Sequence, residues 1–213
     1  MTDLPDRLRP RKEPVQRRSQ ATVDAIHRAT IQVLTRQGLA RCTTTRVAER
    51  AGVSVGTLYQ YYADRQALLA AALSRHLERV VAAVEARCRA LRGAPIEAMA
   101  AGLVEAFLLT KLEDLEEAKA LYAVAAEHGG PQLVGAAGRR MDAAVARMLA
   151  SAPGAPFEDP DLVGMMVRSA LSGPARGLMT AEAPARRLEA VRGHCVQLVL
   201  GYLEAVRSAA PEP

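Results

Sequence analysis

The chain has 213 residues, of which 50% are hydrophobic, 24% are charged and only 3% are aromatic, and its formal net charge is +5. This length holds one large or two small domains with a buried core, which excludes a peptide-sized module. No apolar run approaches about 18 residues and no apolar segment opens the sequence, so we expect neither a membrane span nor a signal peptide.

The positive charge is concentrated at the amino-terminal end. Residues 1–62 hold 11 Lys or Arg against 5 Asp or Glu, a net charge of +6, which leaves 17 against 18, or −1, for the remainder. Such an excess is expected of a region that binds phosphates, although a solubilising surface or a basic tail gives the same imbalance.

The cysteines limit the metal and redox chemistry of the chain. Cys42, Cys88 and Cys195 lie far apart, without a C-x-x-C pair or a Cys/His set. We therefore expect no metal site, no disulfide framework and no cofactor. A reducing cytoplasm is the compartment that this cysteine usage favours.

Alanine, leucine, valine and arginine dominate, and no alternating β-branched run occurs, so the sequence predicts an all-α fold of about nine helices. Residues 1–18 are basic, interrupted by prolines and poor in apolar side chains, so we expect a disordered arm that grips phosphates or, before Arg17, an inert flexible start. A first helix then runs from its N-cap Ser19 to about Gln37, and Gly38 closes it. Its predicted buried face comprises Val23, Ile26, Thr30, Val33 and Leu34.

Residues 43–62 contain the signals of two short helices separated by a tight turn. Thr43 or Thr44 can cap the first helix, which ends at Gly52, and Ser54 can cap the second, Val55–Tyr61. This layout predicts a helix-turn-helix, whose second helix enters the DNA major groove, although a helical hairpin inside an all-α core has the same signals. The side chains expected to face inward are Leu58 and Tyr62, and those expected to face outward are Thr57, Gln60 and Tyr61.

The sequence from Thr43 to Leu69 is TTTRVAERAGVSVGTLYQYYADRQALL. It closely resembles the DNA-binding region of the TetR family of bacterial transcriptional regulators. The shared features, in order, are the small-residue helix start, the A-x-x-A-G-V-S turn, the G-T-L-Y-x-Y-Y recognition helix and the acidic-basic pair before an L-L-rich helix. With the preceding helix, the resemblance covers about the first third of the chain and implies that it binds double-stranded DNA.

The resemblance implies roles for individual side chains. Two basic residues of the arm match positions near the DNA backbone, two threonines match positions that touch phosphate or a base, and Arg65 matches a residue that pins a phosphate. Gln60 is the best candidate for direct readout, because its amide can pair with adenine. Tyr62 is expected in the core, whereas Tyr59 suits both core and contact. The predicted DNA-binding residues are Arg17, Arg18, Thr44, Thr45, Val55, Gly56, Thr57, Tyr59, Gln60, Tyr61 and Arg65.

Asp64 can cap a long helix that runs to about Leu91 and joins two domains. We accordingly divide the chain into a basic arm (1–18), a helix-turn-helix DNA-binding domain (19–65) and an effector-binding and dimerisation domain (66–213). A movement at the far end of the long helix would change the angle of the recognition helix. We therefore predict that the long helix transmits the effector signal to the DNA-binding domain.

Beyond residue 91, four prolines stand where periodic apolar segments begin, which is a position where proline costs no hydrogen bond. Pro174 lies inside one of these segments, so we expect a kink near Ser172 or a boundary there between two helices. The predicted helices are 95–111, 114–127, 131–151, 160–180 and 184–208.

Methionines and a few polar residues recur in these later helices and could line a mostly apolar small-molecule pocket, although ordinary core packing gives the same pattern. Arg176 stands out because an inward arginine would need an anionic partner. The candidate ligand-binding residues are Met99, Leu103, Phe107, Tyr122, His128, Met141, Met165, Met166 and Arg176.

The last helix carries a wide apolar stripe with alternating spacings of three and four residues. Together with the preceding helix it is our candidate homodimer interface, with core packing inside the monomer as the alternative. The dimer is favoured because a palindromic DNA site read in two half-sites requires two-fold symmetry. The candidate interface residues are Leu188, Val191, Cys195, Leu198, Val199 and Tyr202.

These features predict a TetR-like repressor, a cytoplasmic homodimer that binds a palindromic operator and is released by a small apolar or amphipathic effector. A DNA-binding protein of the same fold that is regulated by a protein partner, or acts without a ligand, is the alternative. We do not expect an enzyme, because the four histidines are scattered and no nucleophile-base-acid set or phosphate-cradling glycine loop is visible.

Overall fold

The computed structural model describes residues 17–127, 129–180 and 184–207, with only the backbone described at 17, 18, 180 and 184–186. These ranges form helices and no strand, which confirms the predicted all-α class, and none of the helices in them is long and apolar enough to cross a membrane. The nine α-helices are α1 Arg17–Gln37, α2 Thr44–Ala51, α3 Val55–Tyr61, α4 Arg65–Ala90, α5 Ile96–Leu112, α6 Leu115–Ala125, α7 Gly130–Leu149, α8 Pro160–Thr180 and α9 Pro184–Ala205. A short 3-10 helix, Leu39–Arg41, follows α1.

Most helix ends lie at or near the capping residues that the sequence predicts. The amide of Ala67 donates to Asp64 Oδ1 at 2.8 Å at the start of α4, and Gly38, with φ 77°, follows the end of α1. The predicted start of α1 at Ser19 is wrong, because the helix begins at Arg17. No proline or glycine separates these two residues, so nothing in the backbone prevents the earlier start.

The structure divides into two compact units, the first of which extends to Leu77 and includes Glu116–Ala136. Its core is a single cluster of buried side chains from the first four helices. Leu121 and Val124 of α6 and Leu133 of α7 belong to the same cluster. The core of this unit therefore continues past the predicted division at residue 65, because α4 and α6 both bury apolar side chains in it.

Two charge pairs tie α6 to α4 within this unit. Nδ1 of His76 lies 3.4 Å from Oε1 of Glu117, and both side chains are only 9% exposed. Just beyond the other end of α6, Oε2 of Glu127 lies 3.4 Å from a terminal nitrogen of Arg65. Together with the apolar contacts, these pairs hold α6 at both of its ends.

The second unit contains Glu78–Leu115 and the chain from Ala137 onward. In it α5 packs against α8 and α9, which also pack against each other. Arg140 of α7 bridges two carboxylates of α4, donating to Glu78 Oε1 at 2.7 Å and to Glu85 Oε1 at 3.2 Å. Apolar packing and interhelical ion pairs together hold this unit.

Helix α8 runs through Pro174 without interruption, which excludes the predicted boundary between two helices. The apolar face on both sides of the proline is buried, with Leu171 at 1% exposure and Ala175 fully buried. This burial offsets the hydrogen bond that proline removes from the helix interior.

Candidate nucleic-acid interface

The turn between α2 and α3 is set by three local contacts. Gly52 adopts the left-handed conformation, with φ 69° and ψ 31°, and Val53 N–H donates to the Ala48 carbonyl at 3.0 Å. Thr43 caps α2, accepting a hydrogen bond from the amide of Arg46, and Ser54 caps α3, accepting one from the amide of Thr57 at 3.0 Å. The predicted helix-turn-helix is thus confirmed, with its caps at the predicted positions.

The outer surface of the two helices is polar, and hydrogen bonds between side-chain hydroxyls hold it in place. The hydroxyls of Thr44, in the first turn of α2, and Tyr59, on α3, lie 3.2 Å apart, and the Tyr59 side chain is 40% exposed. Ser54 and Thr57 hydroxyls lie 2.8 Å apart at the start of α3. Hydroxyls fixed in this way are suited to donate to phosphate oxygens without a large loss of side-chain entropy.

Most of the predicted contact residues lie on this accessible surface. Thr45, Gly56 and Gln60 are exposed, and Thr44, Val55 and Thr57 are partly exposed. A Cβ atom built at Gly56 would have only the Ser54 hydroxyl within 4 Å, at 3.7 Å. The fold therefore does not require glycine at this position, and the missing side chain leaves the backbone of α3 open to a ligand outside the chain.

The prediction for Tyr61 is wrong, since the structure buries this side chain to 7% exposure instead of turning it outward. Tyr61 lies three residues after Leu58, so both occupy the core-facing side of the short helix. Tyr62, at 4% exposure, is in the core as expected, and burial raises its pKa to about 12. We accordingly remove Tyr61 from the predicted DNA-facing surface.

Arg65 braces the loop that precedes α2. Its Nε donates to the Cys42 carbonyl at 2.8 Å, one terminal nitrogen donates to the Leu39 carbonyl at 2.7 Å, and the other faces Glu127. Burial raises the pKa of the neighbouring Cys42 thiol to about 11, against the opposing charge of Arg65. The guanidinium is thus directed to the protein, and the phosphate contact implied by the resemblance stays a prediction.

The end of the basic arm differs from the prediction, because Arg17 and Arg18 form the start of α1. Their side chains, and all of residues 1–16, lie outside the described residues, so their predicted contacts stay predictions. Sequence reasoning omitted two exposed arginines near the helix-turn-helix, Arg41 and Arg46. Arg46 of α2 donates to the Arg41 carbonyl at 3.1 Å. Their position beside the threonine run was the signal that could have identified them.

The amino-terminal and carboxyl-terminal parts of the chain each match a known protein family. Residues 26–72 match the family described as bacterial regulatory proteins, tetR family, and residues 95–203 match the tetracyclin repressor-like C-terminal domain. The transcriptional repressor KstR of Mycolicibacterium smegmatis is 30% identical over 183 residues, covering 83% of this chain and 85% of the repressor. The chain belongs to the TetR family of bacterial transcriptional regulators.

Solved structures of TetR-type regulators share the fold. A Mesorhizobium loti regulator assigned to the TetR family superposes with a TM-score of 0.70 at 22% identity, covering 88% of this chain and 98% of that one. SmeT, the repressor of a Stenotrophomonas maltophilia multidrug efflux pump, gives a TM-score of 0.67 at 22% identity, covering 92% and 98%. Both parts of this TetR-family regulator therefore adopt the family architecture.

The predicted ligand-binding residues do not gather into one site. Four of them are core residues, with exposures between 0% and 7%, and the others with described side chains are exposed on the surface. On α8 the core-facing positions are Val163, Val167 and Leu171, so the methionines between them point away. The buried residues are Met99, Leu103, Phe107 and Met141, the exposed ones are Tyr122, Met165, Met166 and Arg176, and His128 lies outside the described residues.

The predicted dimer stripe on α9 also divides into two faces. Cys195 and Val199 are 3% and 0% exposed and pack inside the second unit, so they are corrected to core residues. Leu198 is 52% exposed, and Leu188, Val191 and Tyr202 are partly buried. A stripe with mixed spacings of three and four spans too wide an arc for a single contact, and α5 and α8 cover one side of it.

Proposed function

We propose that this TetR-family regulator is a repressor that binds a palindromic operator as a homodimer and is released by a small apolar or amphipathic effector. The observation that carries the DNA-binding part is the braced, exposed surface of α2 and α3, with Thr44 and Tyr59 joined by their hydroxyls and Gly56 open. The 30% identity with a transcriptional repressor supports repression as the outcome.

Each copy of α3 would lie in the major groove of one half-site. Gln60 is the exposed side chain of α3 that can pair bidentately with adenine, whereas the hydroxyls of Thr44, Thr57 and Tyr59 suit phosphate oxygens. The paired hydroxyls of Thr44 and Tyr59 also fix α2 and α3 to one another. Recognition by so few base-directed groups depends on the spacing of two copies, so dimerisation is part of the proposed specificity.

A homodimer is supported by an apolar surface on α8 and α9. Leu162 and Leu198 are 50% and 52% exposed, and Met165 and Met166 are 40% and 45% exposed. An apolar groove of about 210 Å³ between the two helices is lined by Met166, Val167, Ala170, Leu198, Val199 and Tyr202. Exposed apolar side chains clustered in this way are typical of an interface between proteins, and a second copy of the same surface would cover it.

Release by an effector requires two conformations that differ in effector affinity. Helix α4 begins beside the helix-turn-helix and carries Arg65, which braces the loop before α2. A ligand that favours another position of α4 would therefore disturb the recognition surface. We therefore expect the binding of a cognate ligand to lower the affinity of the protein for its operator.

The test is footprinting of the purified protein on the promoter of its own gene, combined with sedimentation of two matched variants. Leu198→Asp places a charge on the α8–α9 surface, whereas Leu109→Asp changes a residue of α5 that is 44% exposed. We expect Leu198→Asp to sediment as a monomer and to lose operator protection, and Leu109→Asp to behave as the wild type. A dimeric Leu198→Asp would exclude this surface, and the absence of any protected palindrome would exclude the operator.

A further inference from the structure

A small cleft lies between α1 and α4 inside the first unit. Its volume is about 170 Å³, and its apolar walls are formed by Val23 of α1 and by Leu68, Ala71 and Ala72 of α4. An apolar cavity of about 150 Å³ can hold one benzene molecule. The cleft is therefore large enough for a single six-membered ring and too small for a drug-sized ligand.

A tyrosine hydroxyl without a partner opens into this cleft. Tyr62 lines the cleft and is only 4% exposed, and its hydroxyl forms no hydrogen bond with any of the described residues. Among those residues every fully buried side-chain oxygen or nitrogen has a hydrogen-bond partner, so the Tyr62 hydroxyl is accessible and not enclosed in the core. A tyrosine hydroxyl both donates and accepts, so one polar group of a ligand in the cleft would satisfy it.

The charged groups beside the cleft neutralise each other. Arg75 lines the cleft, and one of its terminal nitrogens donates to Oδ1 of Asp24 at 2.6 Å. The other polar side chains of the lining are His27 and Thr30, and the hydroxyl of Thr30 donates to the Ile26 carbonyl at 2.8 Å. Because the ion pair requires no further counter-charge, the cleft favours a neutral ligand over an ion.

We propose that this cleft binds a neutral compound with one six-membered ring and a hydroxyl group that pairs with the hydroxyl of Tyr62. The amide of Tyr62 donates to the Leu58 carbonyl at 3.0 Å and so closes the recognition helix α3. A bound ligand therefore stabilises the folded DNA-binding unit next to the end of that helix. The site rests on neither the operator nor the effector proposed above, because binding is measured without DNA.

The test uses ring compounds that differ in one group. 4-Fluorophenol, fluorobenzene and 4-fluorobenzoate are titrated into the full-length protein, and binding is followed by fluorine NMR of the ligand and by thermal unfolding. Tyr62→Phe removes only the hydroxyl, and Tyr61→Phe makes the same change at a neighbouring core residue that does not line the cleft. We expect the wild type and Tyr61→Phe to bind 4-fluorophenol about fivefold more tightly than Tyr62→Phe does, and all three proteins to bind fluorobenzene alike.

A second pair of variants tests the cleft itself. Ala71 is partly buried and lines the cleft, so the side chain of Ala71→Leu occupies it, whereas Ala86→Leu makes the same change at an exposed position of α4. Ala71→Leu should lose the binding of both 4-fluorophenol and fluorobenzene, and Ala86→Leu should bind them like the wild type. In hydrogen exchange, 4-fluorophenol should slow the amides of α1 and of the first turns of α4 in Ala86→Leu but not in Ala71→Leu.

Three results would overturn the proposal. If 4-fluorophenol does not bind the wild type, the cleft holds only water. Equal binding of 4-fluorophenol to the wild type and to Tyr62→Phe would mean that the ligand binds elsewhere, for example in the groove between α8 and α9. If 4-fluorobenzoate binds more tightly than 4-fluorophenol and Ala71→Leu abolishes that binding, the cleft is an anion site at Arg75 and the neutral ligand class is wrong.

Discussion

Two helices of this regulator use glycine for opposite purposes. On α3 a Cβ atom at Gly56 would meet nothing closer than the Ser54 hydroxyl at 3.7 Å, whereas on α8 a Cβ atom at Gly164 would stand 2.9 Å from the backbone oxygen of Asp142. Gly164 thus lets α8 approach α7, while Gly56 leaves space toward solvent. In one unit the missing side chain serves packing inside the chain, and in the other it is available to a ligand outside it.

This difference separates residues that can be changed without loss of the fold from those that cannot. The recognition surface of α2 and α3 is stabilised by short local contacts, such as the caps at Thr43 and Ser54. The second unit depends on contacts between distant parts of the chain, such as Arg140 with Glu78. Substitutions in the packed region should therefore change mainly stability, whereas substitutions at or beside the recognition surface should also change DNA affinity.

The largest expected effect is in the packed region. Gly164→Val forces a branched side chain against the backbone of α7 and should lower the free energy of unfolding by about 3 kcal/mol. The matched control is Gly177→Val on the same helix, where a Cβ atom meets nothing within 4 Å. Urea unfolding should show a change within about 0.5 kcal/mol for the control, and equal losses in the two variants would contradict the close approach at Gly164.

The second effect concerns the brace on the DNA-binding unit. Arg65→Ala leaves the carbonyls of Leu39 and Cys42 without their charged donor and should cost about 2 kcal/mol of unfolding free energy, together with a loss of operator affinity. Arg65→Lys keeps the positive charge but cannot donate along both directions of the guanidinium fork.

These two variants distinguish a brace from a phosphate contact. If bracing is the main role, Arg65→Lys will lose both unfolding free energy and affinity, almost as Arg65→Ala does. Retained affinity in Arg65→Lys, measured by titration at a fixed salt concentration, would instead favour the phosphate contact that the resemblance implies.

How far the sequence predicts this molecule depends on the length of chain that each contact spans. The caps at Thr43, Ser54 and Asp64 act over three residues, so residue type and spacing were sufficient to predict them. Tyr61 was predicted wrongly because a seven-residue helix has too few turns for periodicity alone to define its buried side. Its position relative to Leu58 becomes clear only when the core is known.

Contacts between distant segments could not be predicted from periodicity. Nothing local indicates that α6 packs with the first unit, because His76 and Glu117 lie far apart in sequence. The stripe on α9 was identified correctly as apolar, but its division into a buried side at Val199 and an exposed side at Leu198 depends on where α5 and α8 lie. The scattering of the predicted ligand residues has the same cause.

A third variant tests the open glycine directly. Gly56→Ala should raise the free energy of unfolding by up to about 1 kcal/mol, because alanine favours a helix and meets no close atom, and should weaken operator binding about tenfold by keeping the backbone from the DNA. Gly52→Ala is the contrast, since a left-handed φ of 69° strains alanine, so both stability and binding should fall. Unchanged operator affinity in Gly56→Ala would remove this position from the proposed interface.

The smallest expected effect concerns the ion pair between α1 and α4. Arg75 donates to Asp24 Oδ1 at 2.6 Å, but the two side chains are 47% and 28% exposed, so Asp24→Asn should cost no more than about 1 kcal/mol. The hydrogen bond from Arg75 lowers the pKa of Asp24 below its ordinary value of 3.8. The contribution is therefore present in full above that value and is lost as the pH falls through the lower pKa of the folded protein. Urea unfolding should give a constant difference between wild type and variant from about pH 7 to about pH 5, and a smaller one at about pH 3. A difference that instead grows on acidification would mean that another group carries the effect, because an aspartate with a lowered pKa cannot stabilise the fold more when it is protonated.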